Sequence, residues 1–245
     1  LAHAYWEMCN WEYRNLRMFL PMLTSVLVLQ GAGLVLGIGL FFHHIPPSAA
    51  LYVATGVPVL NLLTLGLIFE PQIVADRRAE GSYEFLRSMP VPRSMMMLAW
   101  YTVSLVPSLP ALVLSLVVAV ARYHLHLAVS PAIIPAIVAT SLTGTLLGYA
   151  LAHGIPSPMV TRLASTTLIF ILFGFSPIMF PASQLPAWLV SANRWLPFGS
   201  MATIIRSALV HGLATPAGAG RAYVTVCAWG ALAALVSARV VRHRR

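Results

Sequence analysis

The chain has 245 residues, 59% of them hydrophobic and 9% charged, with a mean hydropathy of +0.82 and fifteen arginines, no lysine and six acids. A soluble domain of this size carries about 25% charged residues, so this excess of apolar surface requires lipid as its solvent. A nucleic-acid binder of similar charge would gather its arginines on one wet face; here they stand at the ends of apolar runs, and no nucleic-acid partner is expected.

Residues 4–17 open the chain as an amphipathic segment. At 100° per residue Glu7, Asn10, Arg14 and Arg17 share one side. Tyr5, Trp6, Met8, Cys9, Tyr13 and Leu16 share the other, with Glu12 as a misfit. A helix lying in the headgroup layer is expected over 1–17. Six spans follow, at 18–42, 49–69, 94–121, 128–152, 163–180 and 222–238, since about 20 residues cross the hydrocarbon core. Gly33-x-x-x-Gly37 in the first span is a close-packing motif, for a dimer seam or for packing within the chain. Cys9 and Cys227 fall on opposite sides of the midplane and read as inert packing residues. No ionisable residue falls inside the six predicted spans. With the amino terminus in the cytosol, eleven arginines lie inside and four outside, as the positive-inside rule favours. Both termini are then cytoplasmic. Arginine without lysine, beside abundant Ala, Gly and Pro, is associated with GC-rich bacterial coding and suggests a bacterial plasma membrane.

All six acids lie in the first 84 residues, four of them in the polar island 70–93 between spans two and three. A helix is expected from 76 to 89, with Asp76, Arg77, Glu80, Glu84, Arg87 and Ser88 on one side and Ala79, Tyr83, Phe85, Leu86 and Met89 on the other. Arg77–Glu80 and Glu84–Arg87 are spaced as weak ion pairs, and Pro90 and Pro92 stop the helix. A turn needs only a few residues, so a patterned helix here points to a partner. The stretch 181–221 is aromatic and broken by Pro181, Pro186 and Pro197, too interrupted to span; a re-entrant segment on the outer side is expected.

These motifs together resemble the permease subunits of type-2 ABC exporters. The first carriers are Asp76, Arg77, Arg78, Glu80, Gly81, Ser82, Glu84, Leu86, Pro90, Val91 and Arg93. The second are Phe180-Pro181, Leu185-Pro186-Ala187-Trp188-Leu189, Pro197-Phe198 and the later Arg206. Ser82 replaces the commoner Thr, and Phe85 a smaller apolar residue. The resemblance implies an all-α membrane protein in which 1–245 is a single transmembrane domain. It has six spans, an N-terminal interfacial helix, a cytosolic coupling helix and the outer re-entrant segment. It implies a second permease, identical or homologous, two copies of an ATP-binding subunit, and surrounding membrane lipid. The coupling helix would seat on the ATPase through Tyr83, Phe85 and Leu86, with Arg77, Glu80, Gly81, Glu84, Arg87, Pro90 and Arg93 around them. The substrate path would run along spans two and five, past Asn61, Thr64, Thr166, Phe170 and Phe173. An apolar path without intramembrane acid suits a hydrophobic or amphiphilic substrate, such as a drug, an antibiotic or a lipid-like molecule.

No Gly-x-x-x-x-Gly-Lys-Ser/Thr loop occurs and lysine is absent, so ATP and Mg belong on the partner subunit and no cofactor is expected on this chain. An intramembrane hydrolase is disfavoured because His153 and Ser176 fall at opposite ends of their spans with no acid to orient the base. His43-His44 and His124-x-His126 lack a carboxylate or cysteine beside them, which leaves metal chemistry unsupported. An ion-coupled carrier or channel, or a membrane scaffold that moves no cargo, are the remaining alternatives.

Overall fold

The computed structural model describes residues 2–41, 45–81, 92–210 and 216–243. Every element among them is helical. Helix α1 (Ala2–Leu16) leads into α2 (Leu20–Phe41), the first span. The second span is α3 (Pro47–Thr64), a π-helical turn at Leu65–Phe69 and α4 (Glu70–Ala79) in unbroken succession. Then come α5 (Arg93–Tyr123), α6 (Ile133–Gly154) and α7 (Pro158–Phe175), spans three to five. A 3-10 turn at Ala182–Gln184 and the short helices α8 (Ala187–Trp195) and α9 (Pro197–Leu209) precede α10 (Pro216–His243), the sixth span. Six of these helical stretches are long and apolar enough to cross a membrane.

Three expectations change. Span two does not stop at residue 69: the helix runs on to Ala79 and carries the first half of the polar island with it. The first residues of the expected helix 76–89 are therefore the last turn of span two, since α4 ends at Ala79 with Glu80 as its cap and Gly81 at φ +74°, and 82–89 lie outside the described residues. A left-handed residue costs glycine nothing, and its N–H closes back on the carbonyl of Arg78 at 3.3 Å. Span five ends at Phe175 rather than 180. Tyr83, Glu84, Phe85, Leu86, Arg87 and Pro90 lie outside the described residues, and Arg93 opens α5.

Span two is the central pillar: 83% of its apolar window is buried within the chain, against 44% at most for any other span. Between helices in lipid the hydrophobic effect gives little preference, so close approach and polar contacts decide the packing. Span two meets span four through glycine. A Cβ on Gly66 would stand 2.5 Å from the Gly144 carbonyl carbon, and one on Gly148 would fall on the Gly66 carbonyl oxygen. The Gly33/Gly37 pair has nothing within 4 Å, and the intrachain contacts of span one are made by its neighbours Gly31, against Asn61 and Ser115, and Gly39, against Arg122 and Tyr123.

The 176–210 region folds as two short helices. Asn193 donates to the carbonyls of Phe175 and Leu189, and the N–H groups of Ala128 and Ser130 donate to Leu209 and Ala208. Both ends of α9 therefore stay at one end of the bundle, where spans two and four begin and spans three and five finish. Thirteen residues of helix measure only about 20 Å, and Phe198, Met201, Ile204, Ile205 and Leu209 bury that length in the main core. Pro181 leads into the 3-10 turn, Leu185 and Pro186 lead into α8, Trp188 is exposed on it, and Pro197 opens α9. Arg206 bolts α9 in place. Its Nε donates to Thr55 Oγ1 at 3.1 Å, its Nη2 donates to the Ile178 carbonyl at 2.8 Å, and its guanidinium lies 4.1 Å from the Tyr52 ring centroid.

Candidate functional site at the end of span two

The last turns of α4 place Asp76, Arg77 and Arg78 in succession. Consecutive helical residues diverge by about 100°, so the three side chains leave the helix in three directions, and each finds a different element. Asp76 pairs with Arg162 in the first turns of span five. Arg77 donates to both carboxylate oxygens of Glu12 in α1, at 3.0 and 2.7 Å. Arg78 Nη1 donates to the carbonyls of Ala152 and Ile155, at 2.6 and 3.0 Å, where span four ends. The last carbonyls of a helix have no intrahelical donor and carry partial negative charge, so a guanidinium completes them.

Burial ranks these contacts. Asp76 and Arg162 are about half exposed, side chains at 49% and 52%, and such pairs contribute roughly 0–1 kcal/mol. Glu12 is 2% exposed. Its pair with Arg77 is bidentate, and the guanidinium also lies 5.8 and 5.3 Å from the ring centroids of Trp11 and Trp100. Arg77 is thus turned onto Glu12 rather than paired with Glu80, which is exposed. The residue that broke the amphipathic pattern of α1 is the one that fastens it. Below the pair, Met8, Cys9 and Leu16 pack on Ala99, Trp100 and Val103 of span three, and Tyr5 Oη lies 2.6 Å from Thr102 Oγ1. Helix α1 is docked on protein along one face, while Trp6 and Tyr13 stay exposed. Cys9 is buried there, and Cys227 is exposed on span six.

A family model for ABC-2 family transporter protein matches residues 20–239. The chain belongs to the ABC-2 transporter family. No curated protein matches it. As an ABC-2 permease it is a multi-pass membrane component of a transporter, and the family implies association with an ABC ATP-binding subunit.

Within this ABC-2 permease the expected path residues do not share a surface. Asn61 is fully buried against Gly31 and Ser115, toward spans one and three. Thr64 accepts from Gln30 Nε2 of span one at 2.8 Å. Thr166 accepts a long 3.5 Å contact from Gln72, Phe173 packs on the core, and Phe170 is 70% exposed.

The sequence reading missed Glu70. With span two continuous to Ala79, this carboxyl sits inside the spanning helix, 2% exposed, beside Thr145 of span four. Neither of its oxygens has a hydrogen-bond partner among the described residues. The expectation that the spans contain no ionisable group is corrected, and with it goes one support for a purely apolar path. The usable signal was spacing: Gly66, Glu70 and Val74 lie at i, i+4 and i+8, and all three are buried.

Proposed function

We propose that this ABC-2 permease is the membrane half of an ATP-driven exporter and that the Asp76–Arg77–Arg78 hub is the grip through which a separate ATPase moves it. The observation that carries this reading is the hub itself: one helical turn, ending three residues before the Gly81 break, holds the ends of α1, span four and span five. Residues 82–91, immediately beyond, dock on the ATP-binding subunit, with Tyr83, Phe85 and Leu86 seated and Glu84 and Arg87 at the polar rim. ATP and Mg are held by that subunit, of which two copies serve two permeases, identical or homologous. The hub end and both termini face the cytosol of a bacterium, and 181–221 forms the outer re-entrant region. The cargo is hydrophobic or amphiphilic and passes between the permeases along spans two and five, where Phe170 is exposed.

Glu84→Ala with Leu86→Ala is expected to abolish copurification with the ATP-binding subunit and ATP-driven export. Export at the wild-type rate, with the complex intact, would remove 82–91 from the interface.

Glu70 favours a second reading, an ion-coupled carrier, because a carboxyl at membrane depth is a common carrier of protons. The ATP-driven reading expects Glu70→Gln to keep ATP-dependent export. Loss of export with ATPase stimulation unchanged would support the carrier instead.

A further inference from the structure

The end of the bundle opposite the hub contains an open cavity of about 350 Å³ between α8, the start of α9 and the first turns of span six. Its polar lining is Asn193, Arg194, Ser200, Thr203, Arg221 and Thr225. The wall is fixed. Asn193 uses its amide on the carbonyls of Phe175 and Leu189, Thr203 donates to Gly199 and Thr225 to Arg221. Gly199 approaches Pro177 so closely that a Cβ there would stand 3.2 Å from the ring.

Charge is what remains unanswered. Four described arginines lie at this end. Arg122 donates to the Gly39 carbonyl at 2.8 Å and Arg206 to Ile178 and Thr55. Arg194 and Arg221, from different helices, are exposed in the same cavity and form no ion pair among the described residues. Residues 85–245 contain no Asp or Glu at all, so the fold has no carboxylate of its own to place there. Two guanidiniums offer paired N–H forks that match the tetrahedral oxygens of a phosphate. Trp188 and Trp195, on the same helix as Arg194, are 67% and 81% exposed. Exposed tryptophans of this kind settle at headgroup depth, which puts the cavity level with lipid phosphates rather than in open water.

We propose that this cavity binds the phosphate headgroup of an anionic lipid, held between Arg194 and Arg221. The site is separate from the hub and needs no ATP, so its test is independent of the transport reading. The full chain in neutral detergent is titrated with phosphatidylglycerol, phosphatidylcholine or inorganic phosphate, and bound ligand is counted by native mass spectrometry. Wild type is expected to bind phosphatidylglycerol saturably and at least about tenfold more tightly than phosphatidylcholine. R194Q/R221Q loses that preference by about tenfold or more, R194K/R221K loses less, and R239Q at the hub end loses nothing. The thermal midpoint of each variant shows that it is folded, as expected for substitutions of exposed side chains. Unchanged phosphatidylglycerol binding by folded R194Q/R221Q overturns the proposal, as does equal binding of phosphatidylcholine. Inorganic phosphate that competes at the same concentration as phosphatidylglycerol overturns the lipid assignment.

Discussion

Arg77→Ala is expected to lower the unfolding free energy of the chain by about 3–5 kcal/mol and, on the ATP-driven reading, to stop export. The reason is the asymmetry of buried ion pairs: removing one partner strands the other charge. Glu12 is 2% exposed and accepts both of its guanidinium hydrogen bonds from Arg77. Left alone the buried carboxylate must reach water, which lifts α1 from Trp100 and Val103. Glu12→Leu with Arg77→Met separates the stability from the grip. An apolar pair of similar volume fills the same space without a stranded charge, and such replacements are often neutral in stability. The double variant is therefore expected to recover most of the unfolding free energy. Denaturant titration of the two variants and wild type in one detergent measures this. A single variant as stable as wild type would show that the pair does not hold α1.

Gly148→Val is the most damaging single substitution expected in the spans, at more than about 3 kcal/mol. A Cβ there meets the backbone oxygen of Gly66, not the flexible end of a side chain. Relief requires span four to move away from span two, the most buried span. The shift also opens the Gly66–Gly144 approach and the space around Glu70. Gly33→Ala is the matched control. Nothing lies within 4 Å of its added methyl, so the thermal midpoint stays put, within about 0.5 kcal/mol of wild type. Equal midpoints for both variants would mean that spans two and four do not cross this closely.

These residues also mark how far the sequence could be read. The six spans were legible because length and hydropathy are local properties, and 20 apolar residues allow few other outcomes. Long-range pairings were not. Glu12 stood out as a flaw in a helical wheel, but nothing near it in the chain says that Arg77, 65 residues later, will cancel its charge. Glu70 was misplaced because the polar island looked like a loop from its first residue; a π turn at Leu65–Phe69 carries the helix through that change of composition. Gly33-x-x-x-Gly37 matched a motif, whereas the tight crossing uses Gly66, Gly144 and Gly148, which a one-chain pattern cannot pair across two spans. Asn61 was read as lining the substrate path. The described residues show it facing spans one and three. Arg206 was visible only as a family position; its role as a bolt depends on Thr55 and Ile178, which come from other parts of the chain.

The grip is tested most directly by spin-label distances in the complex reconstituted with its ATP-binding subunit. Labels replace the exposed Glu7 and Glu80 in a background where Cys9 and Cys227 are Ala, and a second pair joins Glu80 to the exposed Arg239 of span six. Double electron–electron resonance is recorded without nucleotide and with ATP trapped by vanadate. The 7–80 distance is expected to stay constant while the 80–239 distance changes, because α1 and the end of span two travel as one body. A 7–80 distance that shifts on ATP trapping, with α1 left behind, would contradict it.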